Sequence, residues 1–230
     1  MEKLQNIRIA VDAIVFGYKN NGLYVLLIEQ KFGSADKYWA LPGGLVQNDE
    51  SLSDAVIREL HEETNVQLTF MEQLYTFGDD IYRDSRNRVI SVAYYALVDA
   101  SNLEIKADTD AERVQWFKID EIPSLAFDHN LILKKGIERL KVKLTYEPIG
   151  FDLLPEEFLF SDLENLYCTI LEKEIDRRNF RKKILSYGFL EETDNFSPIR
   201  SGRPAKLFKF NKLKYNELID KGFHFEIKFA

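Results

Sequence analysis

Three glutamates in the first half of the chain, Glu59, Glu62 and Glu63, have a spacing that could support chemistry. Positions i, i+3 and i+4 lie on one face of a helix, so the three carboxylates would stand together. Because like charges repel, such a face favours a divalent cation; Mg²⁺ or Mn²⁺ prefers oxygen ligands and bridges readily to phosphate oxygens. A metal held there could activate water for the hydrolysis of a diphosphate. A solvated acidic helix face is the alternative interpretation.

Two helices that would position these groups are predicted from apolar periodicity. A helix over residues 51–64 keeps its apolar residues at 3–4 spacing and stops at Asn65, a residue that tolerates the left-handed conformation. A second helix begins after Asp128, a plausible N-cap, and runs to about Leu144.

Alternating or continuous apolar runs predict the strands between them. They lie at residues 7–16, 23–29, 89–98 and 114–117. The first two are joined by a polar turn and predict a hairpin. Residues 39–45 carry too many Pro and Gly interruptions for a regular element to be expected.

A break near residues 146–150, where Pro and Gly interrupt the pattern, predicts a boundary between domains at 1–145 and 146–230. Beyond it, Ser161 and Glu164 have the spacing of a capping box, and Asp176 would cap a helix over 177–186. A turn at 201–204 then leads to a strand at 207–210. The order of helix, short turn, basic helix and hairpin is that of a winged helix-turn-helix. The alternating Phe223, Phe225, Ile227 and Phe229 predict an edge strand or a dimer contact.

The charge distribution supports a nucleic-acid interface in this second part. The whole chain carries −7, yet residues 173–214 alone carry +7. The basic helix could lie in the major groove, with the hairpin as a wing against the backbone or minor groove. The residues predicted to contact DNA are Arg177, Arg178, Arg181, Lys182, Arg200, Arg203 and Lys206. An ordinary solvated basic surface is the alternative.

The composition excludes several other classes of protein. With 230 residues, 45% of them apolar, the chain can bury a core, and its apolar runs are far shorter than the roughly 20 residues of a membrane span. The single cysteine, Cys168, leaves no internal disulfide and no thiolate metal cluster. A soluble, cytoplasmic protein without membrane contact is expected.

Residues 44–66 resemble the Nudix box, with Gly44, Glu50, the Arg58-Glu59-Leu60 run and Glu62-Glu63 at the family's spacing. The resemblance extends back through residues 39–44. It implies that Glu59, Glu62 and Glu63, together with the Gly43 carbonyl, ligate the metal, and that Arg58 and Glu50 support them. One departure is Asn65, where the family usually has glycine.

The same resemblance directs attention to acids and cations outside the box. Nudix enzymes often draw a further acid from a loop, and among Asp108, Asp110 and Glu112 the last is the candidate here. The cluster of Arg83, Arg86 and Arg88 could hold the phosphates or a carboxylate of an effector. A surface loop explains either set about as well.

Three further stretches, at residues 146–155, 176–183 and 202–208, resemble the Nudix-related transcriptional regulators. The resemblance covers nearly the whole chain. It implies an α/β fold, a Nudix α/β/α sandwich with a mixed sheet followed by a small winged helix-turn-helix domain. It also implies a homodimer that binds double-stranded DNA and senses a small effector, ADP-ribose or a sugar. An active hydrolase of the ADP-ribose pyrophosphatase type, whose C-terminal domain serves only dimerisation, is the alternative.

Overall fold

A computed structural model describes residues 6–32, 36–68, 70–101, 105, 113–197 and 204–227. Its first part is built on one mixed sheet. The strands are β1 Arg8–Lys19, β2 Gly22–Phe32, β3 Asp36–Ala40, β4 Gly43–Leu45, β5 Phe70–Phe77, β6 Val89–Asp99 and β7 Arg113–Lys118. The order β3-β2-β1-β6-β5 runs across the sheet, with β4 paired to β1 and β7 to β2. β1 and β6 are parallel, and the other pairs are antiparallel.

Helices cover both faces of this sheet, as the period-2 pattern of β1 requires. Val11, Ala13 and Val15 point to one face, where they pack with buried residues of α1, Leu52–Thr64. Ile14 and Phe16 point to the other face, where they join buried residues of α2, His129–Lys143. The predicted α/β/α sandwich with a mixed sheet is therefore confirmed.

The second part contains three helices and a small sheet within the described residues. The helices are α3 Phe160–Leu171, α4 Arg177–Ser186 and α5 Lys212–Asp220, and the strands are β8 Glu157–Phe158, β9 Leu190–Phe196 and β10 Lys206–Phe210. The strands pair antiparallel in the order β8-β10-β9. Two helices followed by a hairpin confirm the winged helix arrangement. Phe180 of α4 packs against Tyr167 of α3 with ring centroids 5.1 Å apart.

The two parts share a continuous hydrophobic core. Residues of the sheet and of α2 belong to the same buried cluster as Phe151, Leu166 and Phe189 of the second part. The segment after α5 also returns to the first part, where the Ile227 N–H donates to the Thr145 carbonyl at 2.8 Å. The α3 helix contacts the β1–β2 turn through the Thr169 hydroxyl, which donates to the Asn21 carbonyl at 3.3 Å.

Three expectations about the elements are wrong. Residues 39–45 do not lack regular structure, because β3 ends and β4 lies within them. Ser161 and Glu164 form no capping box: α3 starts at Phe160, and the Asp162 carboxylate accepts from the Leu159 N–H at 3.1 Å. Residues 223–227 form no strand, and Phe225 and Ile227 are buried in the core of the same chain. Phe229 lies outside the described residues.

Candidate functional site

The predicted glutamates lie on α1, which ends at Asn65 as the sequence predicts and begins one residue later than predicted, with Ser51 as its N-cap. The Ser51 hydroxyl accepts from the Asp54 N–H at 3.1 Å, and Asn65 ends the helix with φ of 57°. Inside the helix, Arg58 lies between the carboxylates. Its Nη1 donates to Glu59 at 2.8 Å and to Glu62 at 3.2 Å.

Arg58 is also held by Glu50, in agreement with the supporting role that the resemblance to the Nudix box implies for these two residues. Arg58 Nε and Nη2 donate to the two Glu50 oxygens at 2.9 and 2.7 Å. These bonds to the guanidinium lower the pKa of Glu50 to about 2. The bidentate contact fixes the guanidinium in one position beside the helix.

Glu63 points the other way, toward the sheet, and is buried. Its Oε2 accepts from the Gly43 N–H at 2.9 Å and its Oε1 from Gln30 Nε2 at 2.7 Å. Burial, with the nearby carboxylates of Glu59 and Asp12, raises the pKa of Glu63 to about 8. Burial also raises the pKa of Glu59.

These side chains do not fit a cation site as they are arranged. Hard oxygen donors are the correct chemistry, but within the described residues no three His, Cys, Asp or Glu side chains converge where one metal ion could be held. Arg58 lies between Glu59 and Glu62, while Glu63 accepts its hydrogen bonds on the sheet side. The predicted ligands Gly43, Glu59, Glu62 and Glu63 are thus neighbours without forming a coordination sphere. Glu112, the predicted fifth catalytic residue, lies outside the described residues, as do Asp108 and Asp110.

A cavity of about 290 Å³ opens beside β4 and the predicted metal residues. That volume is at the lower end of the range for small-molecule sites. Three cationic side chains line it, Arg8, Arg83 and Arg86, and Gly43 and Gly44 form part of its wall. Asp12 and Asp84 line the cavity as well, so the three arginines leave a net positive charge that suits an anionic ligand.

Of the three arginines predicted to contact an effector, the structure brings Arg83 and Arg86 to the cavity but not Arg88. Arg86 is 56% exposed at its side chain and pairs with Asp84 at 2.8 Å. Arg88 instead donates to the Gly78 carbonyl at 2.7 Å, which ties the two ends of the β5–β6 loop together.

Arg83 lies at the centre of a buried polar network behind the cavity. Its Nε and Nη2 donate to the two oxygens of Asp128 at 2.9 and 2.6 Å, and Nη2 also reaches Asp12 at 3.5 Å. Asp12 accepts a short hydrogen bond from Ser91 and faces His129 Nε2 at 3.4 Å. Despite burial, which opposes ionisation, these partners hold the pKa of Asp12 below its ordinary value.

Sequence reasoning missed several residues of this cavity, including Arg8, Asp12, Phe127 and His129. The His129 Nδ1 accepts from the Leu41 N–H at 2.9 Å, which joins the start of α2 to the segment before β4. Phe127 is exposed, and the Arg86 guanidinium lies 5.1 Å from its ring centroid. Its φ of 53° is unusual for an aromatic residue, and such strain is often found at functional sites. No periodic signal in the sequence points to Phe127 or His129.

The cationic face of α4 is the candidate nucleic-acid interface. Phe180 and Ile184 are buried, whereas Arg177, Arg178, Arg181 and Lys182 are exposed. The Asp176 carboxylate caps the helix by accepting from the Asn179 N–H at 3.1 Å, as the sequence predicts.

The four exposed cations of α4 have different surroundings. Arg177 is held against α3 by Glu164 at 3.3 Å and Asn165 at 3.1 Å. The Arg181 guanidinium lies over the Phe160 ring, 4.4 Å from its centroid. Arg178 and Lys182, one turn apart, have no such partner among the described residues. On the wing, Lys206 is exposed and pairs with Glu192 at 3.3 Å, and Arg200 and Arg203 lie outside the described residues.

Comparison with known proteins identifies both parts of this architecture. The family profile of the NUDIX domain matches residues 6–140, and that of the NrtR DNA-binding winged helix domain matches residues 150–210. The ADPR responsive transcriptional repressor NtrR of Acinetobacter baylyi is 31% identical over 210 residues, which cover 90% of this chain and 83% of that protein. The chain belongs to the Nudix-related transcriptional regulators.

Solved structures of the family agree with this assignment. Shewanella oneidensis NrtR complexed with a 27mer DNA superposes with a TM-score of 0.77 and 30% identity, covering 96% of this chain and 99% of that one. The NUDIX domain of the same NrtR complexed with ADP ribose superposes with a TM-score of 0.54 and 32% identity, covering 60% of this chain and 90% of that one. The resemblance inferred from the sequence is confirmed. No helix in the described part of this regulator is long and apolar enough to cross a membrane.

Proposed function

We propose that the protein is a DNA-binding transcriptional regulator whose Nudix domain binds a small effector of the ADP-ribose class. The observation that carries this proposal is a cavity lined by three arginines, on the same chain as a winged helix with an exposed cationic helix. A diphosphate offers the negative charge that Arg8, Arg83 and Arg86 attract, and the Phe127 ring offers a surface for a flat base. The similarity to a repressor named as ADPR responsive, and to an ADP-ribose complex, supports this choice.

The DNA contacts belong to α4 and the wing. We assign Arg178 and Lys182 to the duplex because both are exposed and point away from Phe180 and Ile184. Arg181 joins them from its position over Phe160, and Lys206 lies on β10 of the wing. A homodimer, located in the cytoplasm with its DNA, is part of the same proposal.

Fluorescence anisotropy with a labelled duplex from upstream of the protein's own gene tests both halves of the proposal. We expect specific binding that weakens as salt rises, because phosphate contacts release counterions. Addition of ADP-ribose should change the affinity, whereas AMP at the same concentration serves as the matched control. Equal affinity for a scrambled duplex at both salt concentrations would contradict the DNA-binding half, and the absence of any ADP-ribose effect would contradict the effector half.

Hydrolysis of an ADP-ribose-like compound is a second candidate function. It is favoured by the presence of all four box residues, Arg58, Glu59, Glu62 and Glu63. Nudix domains generally use a divalent cation, and we propose that Mg²⁺ or Mn²⁺ could bind this chain only if Arg58 moves from between the carboxylates.

Incubation with ADP-ribose and Mg²⁺ or Mn²⁺, followed by detection of AMP, tests this second function. We expect Glu63→Gln to abolish any AMP release and to leave DNA affinity within about twofold, since α4 lies in the other part of the molecule. AMP release by the Glu63→Gln variant at the wild-type rate would exclude the box as its source.

A further inference from the structure

Helix α2 has no side-chain cap, although an aspartate occupies its N-cap position. Asp128 is the N-cap residue, yet its side chain accepts no hydrogen bond from the first turn of the helix. The N-cap side chains of three other described helices do cap their own helix: Ser51, Asp176 and Asn211 each accept from an N–H three residues on. The Asp128 carboxylate is diverted, because both of its oxygens accept from Arg83.

Arg83 therefore has two competing uses. It lines the cavity, and its Nε–Nη2 edge is committed to Asp128 at 2.9 and 2.6 Å. This edge is one of the two guanidinium edges that can donate to two oxygens of a phosphate. An oxyanion that takes this edge displaces the Asp128 carboxylate, which is then free to accept from the Asn130 N–H in the first turn of α2. The N–H groups of His129, Leu131 and Ile132 already donate to backbone carbonyls.

Helix α2 connects this point to the DNA-binding part. Its 15 residues span about 22 Å at 1.5 Å per residue. At its far end Lys141 pairs with Glu172 of the second part at 2.8 Å, and the Thr145 carbonyl accepts from the Ile227 N–H at 2.8 Å. The buried face of α2 belongs to the core that both parts share, so a change at its first turn meets rigid packing rather than a flexible linker.

We propose that Asp128 is a positioning residue that exchanges between Arg83 and the N-terminus of α2, and that this exchange links the effector cavity to the DNA-binding part. The inference rests on the proposed function for its ligand, a diphosphate-bearing effector. In the effector-free state Arg83 holds Asp128. In the bound state the phosphate holds Arg83, and Asp128 caps α2.

Two substitutions at Asp128 separate the two partners. Asparagine caps a helix about as well as aspartate but cannot form the ion pair, whereas alanine does neither. We expect both Asp128→Asn and Asp128→Ala to bind ADP-ribose about tenfold more tightly by calorimetry, because the effector no longer competes with a carboxylate. We expect effector-free DNA affinity to differ about tenfold between Asp128→Asn and Asp128→Ala. The change in Asp128→Asn should have the same direction as the change that ADP-ribose causes in the wild type, because only asparagine mimics the capped state.

Two matched controls isolate the exchange. Asp84→Asn releases Arg86, another cavity arginine, but Asp84 pairs within its own loop rather than with a helix. It should change ADP-ribose affinity without changing the factor by which ADP-ribose alters DNA binding. Asp120→Asn removes an exposed carboxylate that pairs with Lys118 away from the cavity, and should change neither quantity.

Amide hydrogen exchange of the effector-free full-length chain gives a readout that needs neither ligand nor DNA. The Asn130 amide should exchange more slowly in Asp128→Asn than in the wild type or Asp128→Ala. Equal exchange in all three, or unchanged ADP-ribose affinity in both Asp128 variants, would overturn the proposal. A wild-type protein that binds no ADP-ribose would instead refute the proposed effector, and the exchange comparison would still decide the role of Asp128.

Discussion

Gly43 and Gly44 set the distance between the carboxylate helix and the sheet. A methyl group on Gly43 would lie 2.1 Å from the Val11 carbonyl oxygen, and the residue has a φ of 152°, which other residues rarely adopt. A methyl group on Gly44 would lie 2.3 Å from Glu59 Oε1 and push that carboxylate aside. Gly43 is therefore needed for the close approach of β4 to β1, whereas a methyl group on Gly44 would meet only the end of a flexible side chain.

Gly43→Ala should destabilise the fold strongly. Backbone strain of this kind costs about 1–3 kcal/mol, and the contact with a backbone oxygen cannot be relieved by a side-chain rotation. We expect the free energy of unfolding in urea to fall by more than about 2 kcal/mol. Gly78→Ala is the matched control, because its methyl group would meet only the Ile90 side chain at 3.2 Å. Equal losses in the two variants would show that close approach at Gly43 is not required.

Arg177 and Arg178 offer a direct test of which cations face DNA. Arg178→Ala should weaken DNA binding and reduce the slope of log affinity against log salt by about 1, as the loss of one phosphate contact does. Arg177→Ala should leave that slope close to the wild-type value, since Arg177 is held by Glu164 and Asn165 on α3. Salt titrations of the two variants decide between them, and the opposite order would refute the assignment.

Sequence reasoning found the residues that lie close together in the chain and missed those that meet only after folding. The box residues share one helix, so their spacing fixes their common face. Arg83 and Asp128 are 45 positions apart and form the central ion pair of the cavity, yet neither position shows a periodic signal. The contact of Arg58 with Glu62 follows the i, i+4 spacing, whereas its contact with the adjacent Glu59 depends on the rotamers of both side chains.

At the level of single elements, side-chain caps predict helix boundaries well where the residue at the cap has no competing partner. Ser51, Asn65 and Asp176 act as their types predict. The start of α3 differs: Asp162 reaches back to the Leu159 N–H, so the helix begins one residue before the predicted cap. The Glu164 carboxylate is drawn instead to Arg177.

Asp162→Ala should therefore destabilise the winged helix, whereas Ser161→Ala should not. Loss of a capping contact costs about 1 kcal/mol, because an amide at the helix end loses its partner. Thermal unfolding of the two variants measures the difference. A larger effect of Ser161→Ala would restore the capping box that the sequence alone predicts.

A strand with alternating apolar residues can be predicted from the sequence more readily than a strand whose pairing depends on two backbones coming close together. The β1–β2 turn follows from its polar residues, and Asn20 and Asn21 have the positive φ that such turns require. For residues 39–45 the sequence predicts no regular element, because Pro and Gly usually interrupt strands. Here glycine is what allows β4 to pair with β1, a tertiary condition that no local pattern contains.

On the scale of the whole molecule, the shared core implies that the two parts unfold together. Phe151 lies after α2 and stacks on Phe210 with ring centroids 4.4 Å apart, and it also contacts Phe189. Phe151 and Phe189 belong to the same buried cluster as Ile14 and Leu140 of the first part, and Phe210 packs against it. The charge contrast along the sequence predicts two functions, but not how tightly the parts are joined.

Calorimetric unfolding of the full chain should show one transition. Phe151→Ala should lower the free energy of unfolding by about 3–5 kcal/mol and shift that single transition as a whole, because its cavity lies in the shared core. Leu213→Ala, at a side chain that is 77% exposed, is the control and should have little effect. Two resolved transitions, with only one of them shifted by Phe151→Ala, would mean that the parts fold independently.

The hydrogen bond between Ile227 and Thr145 brings the last described stretch back to the point where the winged helix begins. The DNA-binding part thus enters and leaves the fold at one junction. A chimera that grafts the winged helix of another regulator between these two positions keeps one covalent entry point, but its buried side chains must also match those that the sheet and α2 contribute to the shared core.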